Sequence, residues 1–289
     1  MRFIRPKAWI IGALLLWLLG GCSSVRLAYS NGPQLAWWWL DGYVDFSSEQ
    51  APVARQAIDG FFEWHRRTQL PDYIALLVQA QQQVAEGTTP AAACRWQEQI
   101  RERLEPSLQQ ALQLGAELVP GLGEAQFKYL EKRYAKDNRD MRNDFLQPDP
   151  AERLNESVKR ALERAERLYG RLDEPQRKVI AEGVAVSPFN PELWLAERQR
   201  RQRDTLRTLR RLVAERADAE QRLAALRALA QRTERSPEPE YRAYQLTLTD
   251  YNCALAAQLH NATTAAQRQR ARETLKGWEG DFRALMAPV

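Results

Sequence analysis

Histidine and cysteine are scarce in this chain, and their scarcity excludes several classes of catalytic site. Two histidines and three cysteines occur in 289 residues, without a Cys-x-x-Cys or a His-Glu-x-x-His pattern. A zinc centre needs such ligands at short spacing, so we predict no metal site. A nucleophile elbow and a glycine-rich phosphate loop are also missing from the sequence. We therefore expect a protein without a cofactor and without enzymatic activity.

The N-terminal apolar run is too short to span a membrane. It extends from Ala8 to Gly20, whereas a spanning helix needs about 20 residues. Arg2, Arg5 and Lys7 precede the run, and this order of basic and apolar segments is typical of a secretory signal peptide.

The run ends in Leu19-Gly20-Gly21-Cys22, which resembles the bacterial lipobox. In signals of that type the cysteine receives a diacylglyceryl group, and the chain is then cut before it. An ordinary signal peptide with a chance cysteine is the alternative. Ser23 stands where lipoproteins of the inner membrane typically carry Asp. By this resemblance we expect Cys22 to be lipidated and the protein to lie on the periplasmic face of the outer membrane.

The balance of charge gives little reason to expect a nucleic-acid partner. The whole chain has 42 Lys+Arg against 37 Asp+Glu, a net charge of +5. Three of the basic residues lie in the segment that cleavage removes, which leaves 39 against 37, or +2. The basic pI therefore comes partly from the signal peptide. Lipid headgroups of negative charge, or another envelope protein, are the partners that remain besides the membrane itself.

Glycine, proline and runs of β-branched residues are sparse, and the remaining composition predicts an all-α protein. Five helix starts place a cap-type residue three positions before a glutamine, and five others carry proline in the first turn. We predict a signal peptide over 1–21, a lipidated tether over 22–32 and one helical domain over 33–289. Its predicted helices are 33–45, 48–69, 71–86, 90–118, 124–146, 150–169, 174–186, 191–216, 219–234, 239–260 and 265–286.

Two architectures fit these helices. The first is a compact antiparallel bundle of about ten helices joined by short loops, which we favour. The second is a short α-solenoid of helical hairpins, because the later capping starts recur every 45 to 50 residues. No side-chain pattern repeats between those units.

Trp37, Trp38 and Trp39 lie together on the first predicted helix, and they allow two interpretations. They form either a membrane-interface anchor or an aromatic plug between later helices. We favour the plug, because Asp41 and Asp45 would face the bilayer unfavourably.

Cys94 and Cys253 are the two cysteines that remain after lipidation. In an oxidising periplasm they could form a disulfide, and two buried free thiols are the alternative. A bond would require their two helices to be neighbours.

Several polar residues interrupt apolar stripes, and each needs partners if it is buried. Arg198 is the residue that fits its apolar stripe least. We predict that it reaches inward to a carboxylate or to backbone carbonyls at a helix end, with Asp41 and Asp45 as favoured partners, while Arg200 faces solvent. These residues form either a structural network or the lining of a cavity. The candidate network is Asp41, Asp45, His65, Asn138, Arg198, Gln202 and Asn252.

The sequence resembles a group of uncharacterised, all-helical proteobacterial lipoproteins. The lipobox, Asp41 to Phe46, the Ser47-x-x-Gln50 helix start and Trp64 to Pro71 carry this resemblance. It implies location and fold, and it carries over no catalytic residue. We expect a binding or assembly module of the cell envelope, or alternatively a carrier of a lipid in a cavity between aromatic-rich helices.

Overall fold

A computed structural model describes residues 24–287, and all regular structure within them is helical. This confirms the all-α class. Each predicted helix is present, with both ends within three residues of the expected positions. The helices are α1 Ser24–Ser30, α2 Gly32–Val44, α3 Gln50–Thr68, α4 Leu70–Gln83, α5 Pro90–Leu118, α6 Glu124–Phe145, α7 Pro150–Tyr169, α8 Glu174–Ala185, α9 Pro191–Ala214, α10 Ala219–Glu234, α11 Pro239–Ala262 and α12 Ala265–Met286, with a 3-10 turn at Val119–Gly121 between α5 and α6.

Proline in the first turn and a side-chain cap before it explain several of these starts. Thr89 accepts a hydrogen bond from the backbone N–H of Ala92 at 3.2 Å, and Asn190 accepts one from that of Leu193 at 3.0 Å. Such caps satisfy backbone donors that no helical carbonyl can reach.

Helix α1 corrects the expectation of a tether before residue 33. Residues 24–30 are helical and pack against α12, where Arg26 pairs with Asp281 at 3.3 Å. The backbone N–H of Leu35 donates to the carbonyl of Asn31 at 2.9 Å, and that of Asn31 donates to Leu27 at 3.2 Å. The bond to Leu27 closes α1 and the bond from Leu35 opens α2, so Asn31 is the single residue between them, and we call these two consecutive helices the rod.

The packing of the helices is that of a bundle and excludes the solenoid. In a solenoid each repeat contacts only its neighbours in sequence. Here α12 packs against α1, α3, α4 and α7, so the first and the last of the described helices meet. Helix α11 likewise packs along α5, far from it in sequence.

Three apolar clusters form part of the core. One lies between α5, α9 and α10, another between α2 and α3, and the last between α6 and α9. Their buried members are Ala116, Val119, Leu212, Ala217, Leu226 and Leu229; then Trp37, Ala54 and Ile58; then Phe127, Leu130 and Leu206.

Four of the capping glutamines bind one another in two pairs, which we call the glutamine joints. In the first joint, the Gln126 amide donates to Oε1 of Gln50 at 2.6 Å. In the second, Gln176 and Gln267 donate to each other at 2.7 and 2.8 Å. Each joint connects the N-termini of two helices that are distant in sequence, α3 with α6 and α8 with α12.

The two joints share one geometry. Every glutamine accepts a hydrogen bond from the backbone N–H three residues before it, which belongs to the N-cap in three of the four helices. Every glutamine also donates to the partner segment, to the carbonyl five residues before the partner glutamine. In the first joint that carbonyl belongs to Asp45 or Gly121, and in the second to Arg171 or Ala262. One amide thus satisfies polar groups of two chain segments, which fixes both helix starts against each other.

Candidate functional site

Three of the predicted network residues meet between α6 and α9. Asn138 Nδ2 donates to Oε1 of Gln202 at 2.8 Å, and Gln202 Nε2 donates back to Oδ1 of Asn138 at 3.1 Å. The Nε of Arg198 donates to the same Asn138 oxygen at 3.2 Å. The three side chains are partly buried and bind each other rather than lining a cavity, so they form a structural network.

Asp137 is the carboxylate of this network. Its Oδ2 lies 3.9 Å from Arg198 Nη2 and accepts a hydrogen bond from the hydroxyl of Tyr43 on α2, while Arg133 pairs with Oδ1 at 3.3 Å. Burial, and then the hydrogen bond to Asp137 and its charge, raise the pKa of Tyr43 above its ordinary value. The phenol therefore stays protonated and attaches the tryptophan-bearing helix to α6.

Asp41 and Asp45 do not reach Arg198, which corrects the predicted pairing. Asp41 Oδ1 instead accepts from the backbone N–H of Phe46 at 3.1 Å, beyond the C-terminus of α2. Asp45 has a left-handed backbone, with φ of 56°, and an exposed side chain. Tyr43 makes the hydrogen bond to α6, whereas Asp41 lies on another side of α2 and Asp45 follows its C-terminus.

His65 and Asn252 belong to other places. The Tyr29 hydroxyl and His65 Nδ1 are 2.9 Å apart, which links α1 to α3. Burial lowers the pKa of His65, so the neutral ring is favoured there. Asn252 is exposed on α11, which corrects its inclusion in the network. Its neighbour Cys253 is the residue that faces inward.

A more deeply buried charged cluster covers the opposite side of α9, and the sequence interpretation missed it. Glu197 is only 4 % exposed, and it binds Arg200 through two hydrogen bonds of 2.8 and 2.9 Å. Arg201 Nε donates to the same carboxylate at 2.8 Å. Asp204 is also buried and accepts from Arg232 of α10 at 2.8 Å. Arg200 therefore faces the protein interior, contrary to prediction.

The two acidic groups of this cluster are ionised at neutral pH. Burial alone would raise the pKa of Glu197, but the hydrogen bonds and charges of Arg200 and Arg201 outweigh it and lower the pKa. The Arg232 guanidinium does the same for the pKa of Asp204. Because these carboxylates are fixed by neighbouring arginines, their arrangement is that of a structural ion network.

An open groove of about 750 Å³ lies beside this cluster, where α10 ends next to α5 and α11. Arginine dominates its lining, which consists of Arg101, Gln231, Arg232, Glu234, Arg235, Ser236, Pro237 and Arg242. Most of these guanidinium groups have partners in the protein: Arg242, for example, donates to the carbonyls of Ser236 and Pro237, each at 2.7 Å. The exposed side chain of Arg235 makes no ion pair or hydrogen bond within residues 24–287. It is the groove's available cation.

Cys94 and Cys253 are joined in a disulfide, with their Cα atoms 5.3 Å apart. The bond connects the second turn of α5 to the middle of α11, and these two helices pack along each other. It closes a loop between residues 159 positions apart. The lipidation site, Cys22, lies outside the described residues.

The three tryptophans of α2 divide between the two predicted interpretations. Trp37 is buried against Ala54 and Ile58, with its ring 5.6 Å from that of Phe46, as a plug requires. Trp38 and Trp39 are 63 % and 62 % exposed, so the plug does not include them. Three consecutive residues on a helix point in directions about 100° apart, and one core can take only one of them.

A family model matches residues 42–242, from the last turns of α2 to the start of α11. It describes a Family of unknown function (DUF6279). The chain belongs to this family. The matched part contains Gln50 and Gln126 of the first joint, both sides of α9 and the arginine groove. It leaves out α1 and α12. No curated protein and no solved structure matches the chain. Among the described helices, none is both long and apolar enough to cross a bilayer.

Proposed function

We propose that this protein is a lipid-anchored module on the periplasmic face of the outer membrane that binds or assembles envelope components without catalysing a reaction. Cys22 carries the lipid, and the helical domain is held next to the membrane. Two or three acyl chains, at about 0.8 kcal/mol per buried methylene, suffice for stable attachment without a spanning segment.

The observation that carries this proposal is the position of the first helix relative to the lipobox. Ser24 begins α1, and only Ser23 separates it from Cys22. Helix α1 is attached to the rest of the domain, because Tyr29 bonds His65 and Arg26 pairs with Asp281. A lipid on Cys22 would therefore hold the folded domain directly at the bilayer instead of on a long linker.

The arginine groove is the candidate site for the binding part of this function. It offers an unpaired cation at Arg235 and backbone-bound guanidinium groups beside it, which suits an acidic group of a partner. The carrier of a lipid has weaker support. A second surface cavity of about 240 Å³ includes Trp37 and Ile58, but Arg55 and Asp59 also line it.

Replacing Cys22 by alanine tests the anchor. We expect the variant to lose metabolic labelling with a fatty acid and to leave the membrane fraction, whereas Cys94→Ala should keep both properties. A Cys22→Ala protein that is labelled and retained like the wild type would contradict the proposal.

The compartment is tested by the disulfide. Protein unfolded without reducing agent should yield no free thiol from Cys94 or Cys253, because an oxidising periplasm preserves the bond. Two free thiols in the processed protein would argue against that location.

The binding part is tested by photo-cross-linking from the groove in intact cells. A photoreactive residue at position 235 should give an envelope adduct that Arg242→Glu abolishes. The same residue at position 203, an exposed arginine of α9 outside the groove, is the matched control. Equal adducts from both positions would mean that the groove has no special partner.

A further inference from the structure

We propose that the rod formed by α1 and α2 lies along the bilayer surface, with Leu27, Leu35, Trp38 and Trp39 inserted among the lipid headgroups. This inference rests on the proposed lipid anchor and adds a second membrane contact to it. The contact would set the orientation of the whole domain on the membrane.

The exposed apolar residues of the rod form one stripe. Leu27, Leu35, Trp38 and Trp39 follow helical spacing, and all are exposed, at 63 %, 47 %, 63 % and 62 %. Leu35, Trp38 and Trp39 lie on α2, and Leu27 lies in the last turn of α1, with Asn31 as the single residue between the two helices. The stripe covers residues 27–39, which is about 18 Å at a rise of about 1.5 Å per residue.

The opposite side of the rod is covered by the protein. Trp37 and Leu40 pack on α3, Tyr43 packs on α6, and α1 packs on α12. The rod therefore cannot turn its stripe inward. Four large apolar side chains in one exposed row are unusual for a monomer and indicate a contact surface.

The lipid bilayer is the occupant that fits this surface. The stripe begins five residues after the proposed lipid attachment at Cys22, so the anchor would bring it to the membrane. Tryptophan is well suited to headgroup depth, because its ring is apolar and its N–H can bond to water or lipid. The side chain of Asn31, within the stripe, already donates to the carbonyl of Leu27 at 2.8 Å.

The acidic residues nearby do not oppose this orientation. Asp41 is turned to the backbone N–H of Phe46 at 3.1 Å and is only partly exposed. Asp45 lies beyond the C-terminus of α2, at the end of the rod farthest from the anchor. This removes the sequence argument against a membrane contact for Trp38 and Trp39 while leaving Trp37 in the core.

The experiment measures tryptophan quenching by brominated lipids in vesicles of phosphatidylethanolamine and phosphatidylglycerol that carry the processed full-length lipoprotein. We expect strong quenching in the wild type and at least a twofold loss of it in Trp38→Phe/Trp39→Phe. Trp194→Phe is the control, because that residue packs between Phe145 and Phe189 and should leave the quenching unchanged. Both tryptophans are mostly exposed, and circular dichroism checks that the double variant keeps its helical content.

The outcomes separate the stripe from the anchor. Acylated protein that sediments with vesicles but shows equal quenching in the double variant overturns the stripe and leaves the anchor intact. The quenching can also be compared in protein that lacks an acyl group. If the double variant is quenched less than the wild type there as well, the result supports the stripe without the anchor. A blue shift of Trp38 and Trp39 that depends on protein concentration and not on lipid assigns the surface to a second copy, and overturns the proposal.

Discussion

The two sides of α9 carry similar charged residues, yet these residues differ in burial and in the partners they bind. On the side facing α6, Arg198 is 36 % exposed and bonds a neutral amide, with Asp137 at 3.9 Å. On the side facing α10, Arg200 is 17 % exposed and forms two short bonds to the buried Glu197. Solvent screens the first contact and barely reaches the second. The burial of a charged side chain therefore depends more on the helix that packs over it than on its position in an apolar stripe.

The largest expected effect in this comparison is that of Glu197→Ala. The change leaves Arg201 partly buried without a carboxylate and Arg200 with only Asp204 at 3.8 Å, at a cost of about 3 kcal/mol in the free energy of unfolding. Urea unfolding measures it. Glu192→Ala is the control, because that exposed side chain of α9 lies 3.6 Å from Arg153 and should matter little. A loss below about 1 kcal/mol would show that this side of α9 is as solvated as the other.

Arg200→Ala should have an intermediate effect of about 1–2 kcal/mol on the free energy of unfolding. It removes two charge-assisted bonds, but Glu197 keeps Arg201 and Asp204 keeps Arg232. A double-mutant cycle sharpens the expectation. In a Glu197→Ala background the same change should cost clearly less, because the shared bonds are already gone. Additive effects would mean that the two residues do not act as a pair.

Local features of the fold could be predicted from the sequence, and this explains why the helix bounds agree. A capping glutamine or a proline in the first turn acts within a few residues. The pairing of those glutamines could not be predicted, because Gln50 finds Gln126, and Gln176 finds Gln267, only after distant helices pack. Helix α1 was missed for a similar reason. Its seven residues are too few for a helix that is stable alone, and it depends on contacts with α12 and His65.

The buried cluster on α9 was missed because the arginines around it suggested a solvated face. A signal was nevertheless present in the spacing. Glu197, Asp204, Thr208 and Leu212 follow each other at intervals of seven and four, and all are buried. They mark a second covered face of α9, beside the one that carries Leu195 and Leu206. A helix covered on two sides leaves a narrow solvent face, so polar residues on it need not be exposed.

The smallest expected effect on stability is that of Arg198→Ala. The sequence predicts that Arg198 is buried and Arg200 exposed, and the structure reverses the expected order of their effects. The change removes one bond to Asn138 and a distant charge contact with Asp137. Asn138 keeps Gln202, and Asp137 keeps Tyr43 and Arg133, so no buried group loses its last partner. We expect a loss of about 0.5 kcal/mol in the free energy of unfolding.

The control for this last measurement is Arg203→Ala, because Arg203 is exposed on the same helix. Arg203→Ala should leave the free energy of unfolding unchanged. In the same urea series, the loss for Arg198→Ala should lie between that for Arg203→Ala and that for Arg200→Ala. A loss for Arg198→Ala above that for Arg200→Ala would restore the original order. It would also mean that the network of Asn138 and Gln202 depends on the guanidinium of Arg198. The attachment of α2 through Asp137 would then depend on the same group.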